Sequence, residues 1–277
     1  MSLNNPLVSI CIPTYNSSIF LQHTLNSVLS QSYENIEVIL CDDASTDNTI
    51  EIIESYQDYR IKLLRNPKNL GVAENWNRCI SLANGDFIKM MGADDMLYPD
   101  CIKEQAAIFQ KDIHQEISLV ISSRDIISPD NKVIMNRKFP FFTGKISSKR
   151  AIRMNFWFGT NVVGEPVSGL FRSDFVKNGG RYSSDNLYLI DLDFWCKILQ
   201  SGSLYVINKP LSAFRISSNS LSSSLRFEQA GLYHKFARKL YLRESSPIKR
   251  HHVWIGYSMA LMMQLARKVL YFIYFRK

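Results

Sequence analysis

Two pairs of adjacent aspartates stand just after short apolar segments that are typical of β-strands. Asp42–Asp43 follows the segment Ile36–Cys41, and Asp94–Asp95 lies just beyond the segment Phe87–Met91. Ligands of an open α/β sheet bind beyond the carboxyl ends of its strands, so two strands can deliver their acids to one site. Four carboxylates in one place repel one another, and a divalent cation that arrives with a polar ligand relieves that repulsion. The spacing therefore indicates a metal-assisted site for a charged ligand.

The first hundred residues alternate between apolar segments and helical periodicities, and this alternation must position the acids. Strands are predicted at Leu7–Ile12, Ile36–Cys41, Ile61–Leu64 and Phe87–Met91. A helical pattern follows each of them, and the last of these helices begins at Pro99. Such βαβ repetition predicts an α/β fold with a mostly parallel central sheet, flanked by helices and joined by right-handed crossovers.

The second half of the chain has a less regular pattern. A hairpin is predicted with strands at residues 118–122 and 132–135. Residues 139–180 are predicted to be an irregular segment, of the kind that often contributes binding loops. Helices are predicted at residues 189–199, 228–243 and 252–275.

Three segments emerge at the carboxyl ends of the predicted strands and are expected to converge: Pro13–Asn16, Asp42–Ser45 and Gly92–Asp95. Together they hold an aromatic ring for stacking, a carboxylate that can accept from a base or a ribose, and a carboxylate pair for a hard cation. A nucleotide diphosphate with Mg²⁺ or Mn²⁺ needs those groups. Each segment alone is compatible with an ordinary turn or helix cap, and only their joint occurrence favours a site.

Other nucleotide-binding or phosphate-binding folds fit the sequence less well. The turn Ile12–Asn16 after the first strand contains no glycine, which argues against a dinucleotide-binding fingerprint, and no Walker motif is present. A receiver-type phosphorylation domain also places acids after parallel strands. This chain is about twice too long for that module alone, so the receiver domain stays a remote alternative.

The order and spacing of these segments resemble the inverting glycosyltransferases of family 2, which have a GT-A fold. The resemblance covers about residues 7–222 and is carried by Val8–Asn16 (VSICIPTYN), Ile36–Asp47 (IEVILCDDASTD), Asn69–Val72 (NLGV), Gly85–Ile88 (GDFI) and Ala93–Asp95 (ADD). It implies a GT-A-like sheet with a Rossmann-like nucleotide-binding half and a C-terminal helical appendage.

The resemblance also implies roles for individual residues. Asp43 is expected to bind the base, and Asp42 is expected to be structural. A Mn²⁺ or Mg²⁺ ion is expected chiefly on Asp95, with Asp94 as its second ligand. Asp191 matches the position of the catalytic base, four residues before Trp195. The residues expected to contact the nucleotide sugar are Pro13, Thr14, Tyr15, Asn16, Asp43, Asp94 and Arg215.

Three positions depart from the family pattern. Gly92 replaces the first acid of the metal motif, Ile190 replaces the Glu before the base, and Ser217 replaces the His of a closing Arg-x-His motif. These departures keep a second function open, that of a non-catalytic sugar-nucleotide-binding protein with the same fold. Asp191 is also compatible with a plain helix N-terminus, where the helix dipole favours acidic residues.

The activity that the resemblance implies is a metal-dependent glycosyltransferase. It would move a hexosyl or N-acetylhexosaminyl group from a nucleotide-diphosphate donor, usually a UDP-sugar, to an acceptor hydroxyl. The expected acceptor is a carbohydrate or a lipid-linked sugar, as in the assembly of bacterial surface polysaccharide or glycolipid.

The size and composition of the chain set its organisation. Its 277 residues, 46% of them hydrophobic, suffice for one large core with a smaller appendage. We expect a catalytic domain over residues 1–225, with a donor-binding half at about 1–115 and an acceptor-binding half at about 116–225. The five cysteines form no CxxC pair, which indicates neither disulfides nor a zinc site. The N-terminus shows no secretory pattern, so a cytoplasmic location is expected.

Basic charge is concentrated in the helical tail, residues 226–277. This tail has a net charge of +9, whereas the preceding residues have a net charge of −1. Arg267–Lys268 interrupts its apolar pattern, so no stretch of about 18 to 20 apolar residues could span a membrane. The tail is predicted to lie peripherally on the anionic inner face of a membrane. Packing on the catalytic domain or in an oligomer is the alternative, and nucleic-acid binding is not favoured because no matching motif accompanies the charge.

Overall fold

A single mixed sheet of ten strands lies at the centre of the part of the chain that the structure describes. The computed structural model describes residues 5–216 and 228–275, and for residues 267–275 it describes the backbone alone. The strands are β1 Val8–Thr14, β2 Ile36–Asp42, β3 Ile61–Arg65, β4 Phe87–Met90, β5 Met96–Leu97, β6 Ile117–Ile127, β7 Val133–Arg137, β8 Gly144–Ile146, β9 Gly169–Arg172 and β10 Ser203–Arg215. Their order across the sheet is β3-β2-β1-β4-β9-β6-β10-β5, with β7 paired to β6 and β8 paired to β10.

Helices cover both faces of this sheet. They are α1 Leu21–Leu29, α2 Thr49–Glu54, α3 Val72–Ser81, α4 Cys101–Lys111, α5 Ser148–Phe158, α6 Asp174–Lys177, α7 Ile190–Ile198, α8 Gln229–Tyr241 and α9 Arg250–Phe275, with 3₁₀ helices at Pro166–Ser168 and Ser184–Leu189. Ile10 and Val38 share one core with α1 and α4, while Cys11 and Ile39 share the other with α3, α5 and α7. Because helices cover both faces, β1 and β2 are buried along their whole length, which is typical of parallel strands.

The strand directions bring the ends of distant segments to one edge. β1 to β4 are parallel, with Thr14 beside Asp42 and Cys11 beside Met90. β9 is antiparallel to both β4 and β6, so β6 and its parallel neighbour β10 point the same way as β1. β10 therefore ends, at Arg215, on the edge where β1 and β2 end. The predicted α/β sheet is confirmed, with one antiparallel strand in its middle.

The second half differs from the prediction in two places. The predicted hairpin forms, but β6 is longer than expected because its polar residues 122–125 pair with β10. The prediction of an irregular segment over residues 139–180 is wrong for much of its length, since β8, α5, β9 and α6 lie within it. β8 and β9 have only three and four residues, and they pair with strands that are far away in the sequence.

Helix α9 packs on α5 and α8. The contact with α5 is close at Gly159, which has a φ of 60° and where an added Cβ would lie 2.3 Å from the backbone nitrogen of Ala260. At Gly256 an added Cβ would lie 3.0 Å from the carbonyl oxygen of Phe156. The first half of α9 is therefore packed on the rest of the molecule. Over residues 5–216 and 228–275, no helix is both long and apolar enough to cross a bilayer.

Gly159→Ala should lower the free energy of unfolding by about 2 to 4 kcal/mol, because left-handed backbone strain and overpacking against α9 act together. Gly179→Ala is the matched control, since Gly179 also has a positive φ, 86°, but nothing lies within 4 Å of its added Cβ. The control should cost only about 1 kcal/mol. Urea unfolding measures both variants, and equal costs would contradict the packing of α9 on Gly159.

Candidate active site

The first two loops at the carboxyl edge of the sheet are joined by hydrogen bonds. The backbone N–H of Asn16 donates to Ser45 Oγ at 2.9 Å, and the backbone N–H of Thr46 donates to Asn16 Oδ1 at 2.8 Å. Asn16 and Ala44 have positive φ values of 47° and 61°, which are unfavourable for residues other than glycine. The hydrogen bonds between the loops hold these strained turns in place.

Tyr15 is the accessible residue at the end of β1. Its side chain is 51% exposed, whereas Pro13 and Thr14 are buried. Thr14 Oγ1 donates to Asp42 Oδ1 at 3.1 Å, which ties the end of β1 to the end of β2. The ring of Tyr15 is thus available for stacking on a base, while Pro13 and Thr14 fix the direction of the loop.

Asp42 and Asp43 are both buried, but they bind different partners. Asp42 accepts from the backbone N–H of Ser45 at 2.9 Å and caps the turn of its own loop. Asp43 accepts from Asn66 Nδ2 and from the backbone N–H of Leu70, both at 2.8 Å, and from the backbone N–H of Gly71 at 3.0 Å, and so holds the loop that leads into α3. A carboxylate has about four lone-pair sites, so Asp43 keeps the capacity to accept from a base. Its role in base recognition stays a prediction.

In the second acidic pair, Asp95 is buried and Asp94 is partly exposed, and Arg215 is the cation beside them. Asp95 accepts from the backbone N–H groups of Gly92 and Arg215, both at 3.1 Å. Burial raises the pKa of Asp95 well above its usual value, Asp94 raises it further, and burial also raises the pKa of Asp94. An added Cβ on Gly92 would lie 2.8 Å from Asp94 Oδ1 and 3.0 Å from Asp95 Oδ2. Gly92 therefore leaves room for both carboxylates.

A divalent cation fits these two carboxylates. Carboxylate oxygens are the ligands that Mg²⁺ prefers, and a cation lowers the pKa values that burial and mutual repulsion have raised. Among the described residues, no group of three or more His, Cys, Asp or Glu side chains is arranged to hold a metal ion, and the acidic pair is no exception. A cation would therefore be held by Asp95 and Asp94 and would complete its coordination with a diphosphate and water.

Arg215 is buried beside the acidic pair. Its Nε donates to the carbonyl oxygen of Asp94 at 2.8 Å, and its Nη1 donates to the carbonyl oxygen of Ser128 at 2.9 Å. Its guanidinium lies 4.5 Å from the ring centroid of Phe20. Arg215 thus holds the loops around the pair, and its predicted contact with the nucleotide sugar stays a prediction. Ser217, the other position of this motif, lies outside the described residues.

Asp191 comes from the other half of the chain and lies in the first turn of α7. Its Oδ1 accepts from the backbone N–H of Leu192 at 2.7 Å, and its Oδ2 accepts from Asn161 Nδ2 at 2.9 Å. Burial raises the pKa of Asp191 to about 7, with a further contribution from Glu165. A carboxylate with a pKa near neutrality is an effective general base. The preceding Ile190 is buried in the core.

The partly exposed Glu165 forms an ion pair with the buried Arg124, and the sequence analysis singled out neither residue. Arg124 Nε contacts Glu165 Oε2. Although burial opposes ionisation, Arg124 and Arg137 lower the pKa of Glu165 and keep its carboxylate charged. Glu165 raises the pKa of Asp95 and of Asp191, so it lies within electrostatic range of both. The sequence indicated Glu165 only indirectly, because this residue lies within residues 139–180, which were expected to contribute binding loops.

The loop between α5 and β9 ties Asp191 to Glu165. Asn161 Nδ2, which binds Asp191, also donates to the carbonyl oxygen of Gly164 at 2.9 Å, and the N–H of Gly164 donates back to Asn161 Oδ1 at 3.0 Å. Trp195 Nε1 donates to the same carbonyl at 2.8 Å. Asp191 and Trp195, one turn apart on α7, therefore hold the same loop, which gives their spacing a structural reason.

A separate groove of about 780 Å³ lies at the opposite edge of the sheet, where β6 begins and β9 ends. None of the predicted site residues lines it. Its arginines are already paired, Arg172 with Asp112 and Arg181 with Glu74. The acids that could do chemistry are at the other edge, so we place the candidate active site there.

Comparison with known proteins relates the chain to sugar-transferring enzymes. Residues 9–180 match the family described as Glycosyl transferase family 2. The Escherichia coli UDP-Glc:alpha-D-GlcNAc-diphosphoundecaprenol beta-1,3-glucosyltransferase WfgD is 30% identical over 226 residues, which are 80% of this chain and 82% of that protein. Chondroitin synthase of Pasteurella multocida is 30% identical over 74% of this chain, and the putative glycosyltransferase EpsE of Bacillus subtilis is 40% identical over 41% of it. The matches span only 20% and 42% of the lengths of these last two proteins.

Solved structures share the fold at low sequence identity. Staphylococcus aureus TarS, residues 1–349 in complex with UDP-GlcNAc, has a TM-score of 0.69 and 19% identity, over 94% of this chain and 72% of that chain. The mannosyltransferase PcManGT from Pyrobaculum calidifontis, in complex with GDP-Man and Mn²⁺, has a TM-score of 0.64 and 16% identity, over 97% and 76% of the two chains. These likenesses confirm the expected GT-A-like sheet with C-terminal helices.

Asp191→Asn should stabilise the ligand-free protein above neutral pH. The pKa of Asp191 is about 7 in the folded protein and about 4 in an unfolded chain, so ionisation destabilises the fold as the pH rises from about 4 to above 7. The variant has no such cost. Its gain in the free energy of unfolding should grow by about 1 to 3 kcal/mol between pH 4 and pH 8.

Urea unfolding at several pH values measures this gain. Asp193→Asn is the control, because its carboxylate lies in the same helical turn but binds Lys197 at 2.6 Å. The control should show no gain that grows with pH. A gain for Asp191→Asn that does not depend on pH would contradict a buried, ionisable carboxylate at this position.

Proposed function

The chain belongs to glycosyltransferase family 2, and on that premise we propose that it is an inverting enzyme that transfers a sugar from a UDP-sugar to an acceptor hydroxyl. The observation that supports this proposal is Asp191, a carboxylate whose pKa is raised to about 7 by burial and by Glu165, which also raises the pKa of Asp95. The proposed site thus combines a general base with a pair of acids suited to a cation and its diphosphate.

Different residues of the chain would perform different parts of the reaction. Asp191 takes the proton of the acceptor hydroxyl as that oxygen attacks the anomeric carbon, and the diphosphate leaves from the opposite face, which inverts the anomeric configuration. Asn161 holds the carboxylate of Asp191 in position through its 2.9 Å hydrogen bond. A Mn²⁺ or Mg²⁺ ion bound at Asp94 and Asp95 would supply charge neutralisation for the leaving diphosphate.

The names of the relatives support a donor class and an acceptor class. WfgD is named for a UDP-glucose donor and a lipid-diphosphate acceptor, and TarS was solved with UDP-GlcNAc, whereas PcManGT was solved with GDP-Man. WfgD, which matches 80% of this chain at 30% identity, is thus named for a UDP-sugar. We therefore propose transfer of a hexosyl or N-acetylhexosaminyl group to a carbohydrate or lipid-linked acceptor, in bacterial surface polysaccharide or glycolipid assembly.

The first experiment measures donor binding and turnover together. The wild-type protein should show a Mn²⁺-dependent thermal shift with UDP, UDP-glucose or UDP-GlcNAc, and Asp95→Asn should lose the Mn²⁺-dependent part because it lacks the main cation ligand. Asp191→Asn should keep the shift. Its release of UDP from the same donor should be about 10² to 10⁴ times slower, because general base catalysis is lost.

The outcomes separate the two functions that the sequence left open. Binding by the wild-type protein without transfer or slow donor hydrolysis would favour the non-catalytic sugar-nucleotide-binding protein. Turnover by Asp191→Asn at the wild-type rate would exclude Asp191 as the base. The rate of the wild-type enzyme should rise with pH through about 7, since the base acts in its ionised form.

We further propose that the tail, residues 226–277, binds the anionic inner face of a membrane. Packing on α5 and α8 leaves one side of α9 uncovered, where four large apolar side chains are between 45% and 65% exposed: Trp254, Leu261, Met262 and Leu265. The net charge of +9 in the tail complements anionic lipid. A helix with an aromatic and apolar face amid basic residues is suited to the membrane interface.

Vesicle flotation tests this surface. The full-length protein should float with vesicles that contain phosphatidylglycerol and less with pure phosphatidylcholine vesicles, and replacement of the four α9 side chains by serine should abolish flotation. Tyr59→Ser with Ile113→Ser is the control, since these residues are 94% and 84% exposed outside the tail. Equal flotation of all three proteins would discard the membrane surface, and dimerisation lost only in the α9 variant would assign that face to an oligomer.

A further inference from the structure

We propose that Glu165 is a donor-specificity residue, whose carboxylate accepts a hydrogen bond from a hydroxyl of the transferred sugar and disfavours sugars that carry an acid group. The inference rests on the proposed function, because it takes its sugar from the same UDP-linked donor. The sequence indicated only that the segment around Glu165, residues 139–180, could contribute binding loops.

The position of Glu165 places it beside the sugar. In an inverting displacement, the base, the anomeric carbon and the leaving diphosphate lie roughly in line, so the sugar ring lies between Asp191 and the pair Asp94–Asp95. Two sets of contacts place Glu165 near both ends of this line. Its neighbour Gly164 is hydrogen-bonded to Asn161, which binds Asp191. Its partner Arg124 lies on β6 beside Ser212 of β10, three residues before Arg215, whose backbone N–H binds Asp95. The negative charge of Glu165 raises the pKa of both Asp95 and Asp191, which agrees with this placement. A carboxylate between these two acids would lie beside the sugar ring.

The surroundings of Glu165 hold its carboxylate in one place. Arg124, which is 2% exposed, contacts one carboxylate oxygen of Glu165, whose side chain is 20% exposed. Ser168 Oγ donates to the backbone carbonyl of Glu165 at 2.8 Å, and an added Cβ on Gly164 would lie 2.7 Å from the Arg124 guanidinium. The loop therefore lies directly against Arg124. A carboxylate fixed in this way loses little freedom when a ligand binds.

The charge of Glu165 determines which sugars it favours. Arg124 and Arg137 keep it ionised, and an ionised carboxylate only accepts hydrogen bonds. Neutral hexoses and N-acetylhexosamines offer hydroxyl donors. A uronic acid would bring one more carboxylate next to Asp95, Asp191 and Glu165, and the repulsion between these negative charges would weaken its binding. The site should thus prefer neutral donors.

Calorimetric titration with four probes tests the inference: UDP, UDP-glucose, UDP-GlcNAc and UDP-glucuronic acid, each with Mn²⁺. The wild-type protein should bind at least one neutral UDP-sugar more tightly than UDP-glucuronic acid. Glu165→Gln should keep the wild-type Kd for UDP and lose about tenfold or more of the preference for the neutral sugar, since a hydrogen bond to a charged group is lost and the repulsion is removed. Glu116→Gln is the matched control, because Glu116 also forms an ion pair, with Lys145, but lies at the opposite edge of the sheet.

The results separate this inference from the proposed function. If the wild-type protein bound none of the four probes, a UDP-linked function would fail. If it bound them and Glu165→Gln kept the wild-type preference, only the role of Glu165 would be overturned. Should Glu165→Gln lose its cooperative thermal transition, Glu165→Asp replaces it. This variant keeps the charge opposite Arg124 and shortens the side chain, so weaker binding of the neutral sugar with unchanged binding of UDP would support the inference, and unchanged binding of both would overturn it.

Discussion

Buried negative charge at the carboxyl edge of the sheet is the constraint on which the candidate active site depends. Burial raises the pKa values of Asp94, Asp95 and Asp191. The negative charge of Glu165 raises the pKa values of Asp95 and Asp191 further. A folded protein tolerates such charges when they are hydrogen-bonded, paired or neutralised by a ligand. Backbone N–H groups supply hydrogen bonds to Asp95 and Asp191, and Arg124 pairs with Glu165. A nucleotide sugar with its cation would supply the remaining neutralisation.

Several residue types around the site are consequences of that constraint. Gly92 leaves space for two converging carboxylates, and Gly164 lets its loop lie against the Arg124 guanidinium. The same loop begins at Gly159, on which α9 packs, and two residues later it supplies Asn161 to Asp191. Helix α9, which carries the proposed membrane surface, therefore packs on the start of the loop that positions the proposed catalytic base.

The first half of the fold and its acids were predictable from local pattern. Parallel strands covered on both faces are apolar at nearly every position, and the helices between them show a period near 3.6, so each element could be located from a short window of sequence. Asp42 ends β2, Asp43 follows it, and Asp94–Asp95 lies a few residues beyond β4, so parallel topology places both pairs at one edge of the sheet. Asp191 was predicted from the resemblance to the family through its spacing to Trp195, and the structure gives that spacing a reason in the loop that both residues hold.

The remaining features depend on contacts between distant parts of the chain. β9 contains only four residues, with Gly169 among them, and it is a strand because β4 and β6 supply hydrogen bonds on both sides. Glu165 and Arg124 are 41 positions apart, and no local pattern relates one to the other. Local sequence pattern was thus enough to identify the acids near the ends of the parallel strands. Their pKa values could be known only after folding, because the pKa of a carboxylate depends on the burial and the neighbours that the tertiary structure creates.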